Sequence, residues 1–126
     1  MNSKNKIKIL VVDDDKGLRE LFKEGLEDLS FEVMTAENGL EAKKILTEIK
    51  DIDGLVTDIT MPEMNGAELV TYLRGEDNNI PVFFITGYQD YSREVLNSFK
   101  PKAVIFKPFD IEEASLLIKN HFLRMS

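Results

Sequence analysis

The sequence contains no cysteine and a single histidine, His121. The absence of cysteine excludes disulfides, thiolate nucleophiles and cysteine-ligated zinc sites. One histidine is too few for a multi-histidine metal site and leaves a Ser-His-Asp triad little to be built from. Basic residues are fewer than acidic ones, with 16 Lys and Arg against 23 Asp and Glu, so the formal net charge is −7. This balance argues against direct binding of nucleic acid, which relies on Lys and Arg clustered on one face.

Long apolar runs are missing as well. A membrane-spanning helix needs about 20 consecutive apolar residues, and no segment of the chain approaches that length. The apolar run at 9–12 follows Lys4 and Lys6, as in a signal peptide, but the run is too short and three aspartates come after it. We therefore expect a cytoplasmic protein without membrane association. Because the chain has 126 residues, 43% of them hydrophobic, we expect residues 1–126 to form one domain with no output domain.

Two kinds of segment alternate along the chain. Five short runs rich in Val, Ile and Phe are typical of strands buried on both faces of a parallel sheet, and they cover residues 7–12, 31–35, 54–57, 82–85 and 103–106. Amphipathic stretches with helical spacing follow them, near residues 18–29, 42–49, 67–73, 95–99 and 111–122. Asp15, Asn38 and Asp110 are suited to cap the first, second and fifth helices. The alternation predicts an α/β fold of type (βα)₅, with a parallel sheet between two layers of helices.

Ionisable and hydroxyl side chains follow four of the five predicted strands. They are Asp13, Asp14 and Asp15 after the first strand, Asp58 after the third, Thr86 after the fourth and Lys107 after the fifth. Open parallel sheets bind their ligands at the carboxyl ends of the strands. We therefore expect these side chains to line one rim of the sheet, with a cluster of carboxylates beside one hydroxyl and one ammonium group.

Electrostatic repulsion makes such a cluster informative. Two like charges about 4 Å apart repel by roughly 4 kcal/mol at an effective dielectric constant near 20. A divalent cation relieves this repulsion, and Mg²⁺ prefers a few carboxylates together with water and phosphate oxygens. With such a cation in place, Lys107 and Thr86 are suited to bind the oxygens of a transferred phosphoryl group. Phosphoryl transfer depends mainly on positioning and charge neutralisation, and this set of residues supplies both.

Four segments together carry a resemblance to a known family. They are residues 9–15, which end in the three aspartates, residues 58–66, Thr86 after an apolar strand, and the triplet Lys107-Pro108-Phe109. Each is weak alone, but their order and their places at the ends of strands one, three, four and five are specific. The sequence resembles the receiver domain of two-component response regulators over essentially its whole length. The resemblance implies a doubly wound, flavodoxin-like sheet of five parallel strands in the order 2-1-3-4-5.

The resemblance also implies roles in phosphorylation. Asp58 is similar to the phosphoacceptor of the family, and Thr86 to the hydroxyl that moves toward the new phosphoryl group. Lys107 resembles the lysine that pairs with that group, and the Lys107–Pro108 peptide is expected in cis. The protein is then a signalling domain rather than an enzyme, since it catalyses only its own phosphorylation and dephosphorylation.

Magnesium is the cofactor that the resemblance implies. Asp14 is similar to a direct Mg²⁺ ligand, Asp13 to a ligand that acts through water, and the backbone carbonyl of Thr60 to a third ligand, beside Asp58 itself. The phosphodonor is then a phosphohistidine on a partner, either a sensor histidine kinase or a phosphotransfer protein. A downstream protein is expected to bind the face made by the fourth helix, fifth strand and fifth helix. The protein is expected to be a monomer or a phosphorylation-dependent dimer.

The chain departs from the family pattern at one position. Receiver domains usually carry Tyr or Phe three residues before the lysine, and Val104 stands there. We expect Phe106 to be in the wrong phase of the strand to replace it, so that switching runs mainly through Thr86. Tyr88, two residues beyond that threonine, is expected to flank the path of an attacking water and to slow hydrolysis of the aspartyl phosphate.

Several alternatives remain open at this point. Asp13 and Asp15 loosely match the nucleophile loop of haloacid-dehalogenase-type phosphatases, but Gly17 stands where that family needs Thr or Val. A docking module that binds Mg²⁺ without being phosphorylated is a second alternative, and a fragment of a longer regulator or hybrid kinase is a third. Thr86 is alternatively the N-cap of the fourth helix, a position that threonine fills well.

Overall fold

The computed structural model describes residues 6–87 and 92–124. Strands and helices alternate in these residues. The strands are β1 (Lys8–Val12), β2 (Glu32–Ala36), β3 (Gly54–Asp58), β4 (Val82–Gly87) and β5 (Ala103–Lys107). The helices are α1 (Lys16–Glu27), α2 (Gly39–Glu48), α3 (Gly66–Gly75), α4 (Arg93–Ser98) and α5 (Ile111–Arg124). The predicted (βα)₅ order is confirmed.

The five strands form one parallel sheet in the order β2-β1-β3-β4-β5. The predicted doubly wound, flavodoxin-like strand order is therefore confirmed. The chain reverses its direction of winding between β1 and β3, which are adjacent and pair Val12 with Thr57. In such sheets the crevice outside the carboxyl ends of the strands at this reversal is where ligands bind.

Two apolar cores cover the two faces of the sheet, because successive side chains of a strand point to opposite faces. In β1, Leu10 and Val12 belong to the core shared with α2, α3 and α4, whereas Ile9 and Val11 belong to the core shared with α1 and α5. All four side chains are fully buried. The central strands are thus covered on both sides, as their continuous hydrophobicity predicts.

The predicted helix caps are present. The side chain of Asp15 accepts a hydrogen bond from the Leu18 N–H, and that of Asn38 accepts one from the Glu41 N–H. Asp110 accepts from the Glu112 N–H at 3.1 Å, at the start of α5. Among the described residues, no helix is both long and apolar enough to cross a bilayer.

Strand β5 corrects one expectation. Val104 and Phe106 both pack against the core on the side of α2, α3 and α4, whereas Ile105 lies in the opposite core. The prediction that Phe106 is out of phase with Val104 is therefore wrong, since residues two apart in a strand share a face. The Arg93 guanidinium, in the first residue of α4, lies over the Phe106 ring at 5.5 Å from its centroid. The face of β5 that carries Val104 therefore also carries an aromatic side chain, that of Phe106.

Candidate functional site

Three carboxylates meet at the carboxyl ends of β1 and β3. Asp13, Asp14 and Asp58 each place one oxygen within 4.8 Å of the others. They come together because β1 and β3 are adjacent and parallel, so the residues that follow the two strands lie at the same rim. Asp13 and Asp58 are buried, whereas Asp14 is exposed. The predicted acidic cluster is therefore present at the predicted rim.

Asp13 is held in a buried position by its surroundings. Its N–H donates to the Ala36 carbonyl at 3.2 Å, and its Oδ1 accepts from the Asp15 N–H at 2.8 Å. Its Oδ2 is buried and has no hydrogen-bond partner among the described residues. Burial, with the neighbouring charge of Asp58, raises the pKa of Asp13 to about 7, although the hydrogen bond from the Asp15 N–H and the charge of Lys107 oppose the rise.

Asp58 has a partner for each of its carboxylate oxygens. Oδ2 accepts a hydrogen bond from the Lys107 ammonium at 2.8 Å, and Oδ1 accepts one from the Thr60 N–H at 3.1 Å. Lys107 reaches Asp58 from the end of β5, across the end of β4, and its peptide bond to Pro108 is cis as predicted. The structure thus brings together two residues that are 49 positions apart in the chain.

The charge of Lys107 is set by this contact. Partial burial lowers the pKa of its ammonium group, but the hydrogen bond to Asp58 and the charges of Asp58, Asp13 and Asp14 outweigh it, so that the pKa lies above its ordinary value. Lys107 therefore stays positively charged throughout the neutral pH range. It neutralises one of the three negative charges at the rim.

Thr86 lies in β4, where it pairs with Phe106 of β5. Asp58 pairs with Ile85, so Thr86 lies one residue further along the rim. Its side chain is buried, and its hydroxyl donates to the Gly87 carbonyl at 3.1 Å. Ser92, not Thr86, caps α4 by accepting from the Val95 N–H. The alternative in which Thr86 is the cap of the fourth helix is therefore wrong.

Gly66 is a site-building residue to which the sequence analysis gave no role. A Cβ atom at Gly66 would lie 2.4 Å from the Asp58 carbonyl oxygen and 3.0 Å from the Ile59 Cα. The Gly66 N–H also donates to the Ile59 carbonyl at 2.8 Å. This close approach holds the start of α3 against the end of β3, the point at which Asp58 leaves the strand. The glycine beside the helix cap Asn65 is the available sequence signal.

The acidic cluster fits a divalent cation. Three carboxylates converge, and one buried oxygen, Asp13 Oδ2, lacks a protein partner among the described residues. Buried polar atoms nearly always have a partner, so this oxygen is available to a ligand or to water. Hard oxygen donors of this kind suit Mg²⁺. Tyr88, which the sequence analysis placed on the path of an attacking water, lies outside the described residues.

Comparison with known proteins identifies the family. The model of the response regulator receiver domain family matches residues 9–119. The chain belongs to this family. Receiver domains are signalling domains of two-component and chemotaxis systems, and membership decides against the haloacid-dehalogenase alternative. The fold and the family expected from the sequence are both confirmed.

Individual relatives agree with this assignment. The receiver domain is 39% identical over 108 residues to the chemotaxis protein CheY homolog of Campylobacter jejuni, and the match covers 82% of each chain. A receiver domain protein from Clostridium thermocellum superposes with a TM-score of 0.82 at 29% identity, covering 94% of this chain and 96% of the other. The response regulator TrrA of Thermotoga maritima, solved with Mg²⁺ and BeF, superposes with a TM-score of 0.79 at 34% identity, covering 90% and 97%.

Proposed function

We propose that this receiver domain accepts a phosphoryl group on Asp58 from a phosphohistidine of a partner, in a Mg²⁺-dependent reaction. The observation that supports the proposal best is the environment of Asp58, a buried carboxylate within 4.8 Å of two others and 2.8 Å from the Lys107 ammonium. A buried carboxylate beside a lysine and two further carboxylates is suited to attack phosphorus, because the ammonium group and a bound cation would neutralise the charge of the incoming phosphoryl oxygens.

The proposed transfer proceeds by in-line displacement. A carboxylate oxygen of Asp58 forms a bond to phosphorus, the phosphorus–nitrogen bond of the phosphohistidine breaks, and the bonding electrons remain on the imidazole, which takes up a proton. The product is an acyl phosphate on Asp58 and a neutral histidine on the donor. The Thr60 N–H, which donates to Asp58 Oδ1, orients the carboxylate before the attack.

Asp13, Asp14, Asp58 and the backbone carbonyl of Thr60 are the residues that would hold Mg²⁺. When bound, Mg²⁺ supplies positive charge that offsets the repulsion between the carboxylates and the incoming phosphoryl oxygens. Asp13 would contribute its Oδ2 atom, which is already buried and has no protein partner among the described residues. Folding has therefore already removed water from this oxygen, and metal binding would not need to do so.

Lys107 and Thr86 act on the product in this proposal. Once Asp58 is phosphorylated, the Lys107 ammonium pairs with a phosphoryl oxygen. The Thr86 hydroxyl, which donates to the adjacent Gly87 carbonyl, exchanges that bond for one to the phosphoryl group. This exchange moves the end of β4. Downstream proteins are proposed to read the change on the face made by α4, β5 and α5, where Arg93 stacks on Phe106.

Phosphosite mapping tests the proposal directly. The protein is incubated with acetyl phosphate and Mg²⁺, and its intact mass is measured for the wild type and for Asp58→Ala. A matched control is Asp15→Asn, which removes an exposed carboxylate but keeps a residue able to cap α1. We expect a Mg²⁺-dependent gain of one phosphoryl group in the wild type and in Asp15→Asn, and none in Asp58→Ala.

Other results of the same experiment contradict the proposal. A phosphoryl group that survives Asp58→Ala and maps to Asp13 would instead indicate chemistry at the first strand. A wild-type protein that gains no phosphoryl group would indicate a docking module that binds Mg²⁺ without being phosphorylated. Three expectations stay predictions: a cytoplasmic location, a single domain over residues 1–126 with no output domain, and a monomer or phosphorylation-dependent dimer. Sedimentation of the phosphorylated and unphosphorylated forms checks the last of these.

A further inference from the structure

Three of the four candidate metal ligands lie in two loops, and both loops contact the same turn. The loop after β1 carries Asp13 and Asp14, and the loop at 59–65 after β3 carries Thr60, whereas Asp58 is the last residue of β3. The turn at 36–39 connects β2 to α2 and contributes no side chain to the acidic cluster. The Ala36 carbonyl at its start accepts a hydrogen bond from the Asp13 N–H at 3.2 Å. The Gly39 N–H at its end donates to the Met64 carbonyl at 2.9 Å.

Gly39 approaches the loop at 59–65 more closely than any other amino acid would allow. A Cβ atom at Gly39 would lie 2.1 Å from the Met64 carbonyl oxygen, 2.7 Å from the Met64 carbonyl carbon and 2.8 Å from the Met64 Cβ. The two nearest atoms are backbone atoms, which cannot rotate away as the end of a side chain can. No described glycine has a positive φ, so Gly39 is required for this contact rather than for its backbone conformation.

The turn is itself firmly attached to α2. The Asn38 side chain accepts from the Glu41 N–H at 2.9 Å, and the Glu41 side chain accepts from the Glu37 N–H at 2.7 Å. These reciprocal bonds have the pattern of a capping box displaced by one residue. At its other end the turn continues from strand β2 through the buried residue Ala36. The position of the Gly39 N–H is therefore set by a strand on one side and a helix on the other.

We infer that Gly39 is a positioning residue for the metal site. Its hydrogen bond and close contact hold the loop at 59–65 against the turn at 36–39, and the same turn holds the backbone of Asp13 through Ala36. The turn thus sets the distance between the two loops that contribute Asp13, Asp14 and Thr60 to the proposed site. This inference rests on the proposed magnesium site. Groups that orient metal ligands without touching the metal typically change metal affinity about 10- to 100-fold when they are altered.

Magnesium titration of Gly39→Ala tests the inference. The dissociation constant for Mg²⁺ is measured by titration of backbone amide chemical shifts at fixed pH, in samples whose spectra show a folded protein. The matched control is Gly75→Ala, since a Cβ at Gly75 meets nothing within 4 Å. We expect the dissociation constant to rise about tenfold or more in Gly39→Ala and to stay within about twofold of the wild type in Gly75→Ala.

Each outcome of this titration has a defined meaning. A Gly39→Ala protein that is less stable without Mg²⁺ but binds Mg²⁺ as tightly as the wild type would show a merely structural glycine and would overturn the inference. A wild type that fails to bind Mg²⁺ at all would overturn the proposed metal site, and the role of Gly39 with it. The two failures are distinguishable because only the first leaves wild-type binding intact.

Amide hydrogen exchange in the wild type provides a second test, which also serves if Gly39→Ala does not fold. If the Gly39–Met64 bond supports the Mg²⁺-bound arrangement, linkage requires that Mg²⁺ protects the Gly39 N–H from exchange. The Ile49 N–H, which donates to the Ile45 carbonyl at 2.8 Å just beyond the other end of α2, is the internal reference. We expect saturating Mg²⁺ to slow exchange at Gly39 about tenfold more than at Ile49; an equal change at both amides, or none, would contradict the inference.

Discussion

Replacing Asp13 by asparagine is expected to stabilise the protein when no divalent cation is bound. Burial raises the pKa of the Asp13 carboxyl from an ordinary 3.8 to about 7. The folded state therefore holds this proton more tightly than the unfolded state does. Stability is lost as the pH rises from about 4 through about 7, because folding then requires an ionised carboxylate in a buried position.

The size of the effect follows from the pKa change. A rise of about 3 units, at 1.36 kcal/mol for each unit, corresponds to roughly 4 kcal/mol of stability lost by the wild type at about pH 8. Asparagine has no charge to bury. Its amide oxygen is able to keep the hydrogen bond from the Asp15 N–H. Near pH 5 the same reasoning gives a gain of only about 1 to 2 kcal/mol.

Urea denaturation followed by circular dichroism measures this difference. Wild type, Asp13→Asn and the exposed control Asp15→Asn are compared in EDTA at about pH 5 and about pH 8. We expect a higher midpoint for Asp13→Asn alone, with the larger gain at the higher pH. Added Mg²⁺ should then stabilise the wild type by about 2.7 kcal/mol at 100 times its dissociation constant, and the variant by less. An Asp13→Asn protein that is less stable than the wild type in EDTA at about pH 8 would refute the reasoning.

Three further predictions concern other residues. Lys107→Met removes the partner of Asp58 Oδ2 and is expected to lower the unfolding free energy by about 1 to 2 kcal/mol in EDTA near neutral pH. The expected loss is kept small because the ammonium group is partly exposed to solvent. An equal loss in the exposed control Lys102→Met, measured by the same urea denaturation, would contradict this prediction. Gly75→Ala is expected to raise the unfolding free energy by about 0.5 to 1 kcal/mol. The reason is that Gly75 is helical and has no positive φ, and an added Cβ would lie in open space. An unchanged or lower unfolding free energy would count against this prediction. Tyr88→Ala is expected to shorten the lifetime of the aspartyl phosphate, measured by the loss of the phosphorylated mass with time, and an unchanged lifetime would show that Tyr88 does not shield the bond.

Local features of the sequence predicted the elements of the fold well. The caps Asp15, Asn38 and Asp110 were found because capping depends on a side chain and a backbone group two or three residues apart. The alternative in which Thr86 caps the fourth helix shows the limit of such local features. Threonine is a suitable cap wherever a helix follows, but α4 begins at Arg93, and Ser92 caps it. The six-residue helix is too short for its apolar spacing to show where it starts.

The phase error at Phe106 has a different origin. Phe106 points to the opposite face from its neighbour Lys107, but it shares a face with Val104, which lies two residues earlier in β5. Alternation of side chains along a strand does not predict the contact between the Phe106 ring and Arg93, because that contact depends on how β5 and α4 pack together.

The sequence by itself determined the kind of site and the rim on which it lies. Strictly alternating strands and helices imply a parallel sheet, and residues that follow parallel strands share one edge, so Asp13, Asp14, Asp58 and Lys107 were expected there before any distance was known. Such conclusions depend only on the period of each element and on the order of the elements along the chain.

The tertiary structure alone decided how these groups interact. The hydrogen bond from Lys107 to Asp58 depends on the spacing of three strands across the sheet, and the high pKa of Asp13 depends on how completely its neighbours exclude water. The contact of Gly39 with Met64 depends on how α2 and the loop after β3 pack together. These distances, and the degree to which each group is buried, are set by the packing of segments that are far apart in the chain. A local sequence pattern does not predict either quantity.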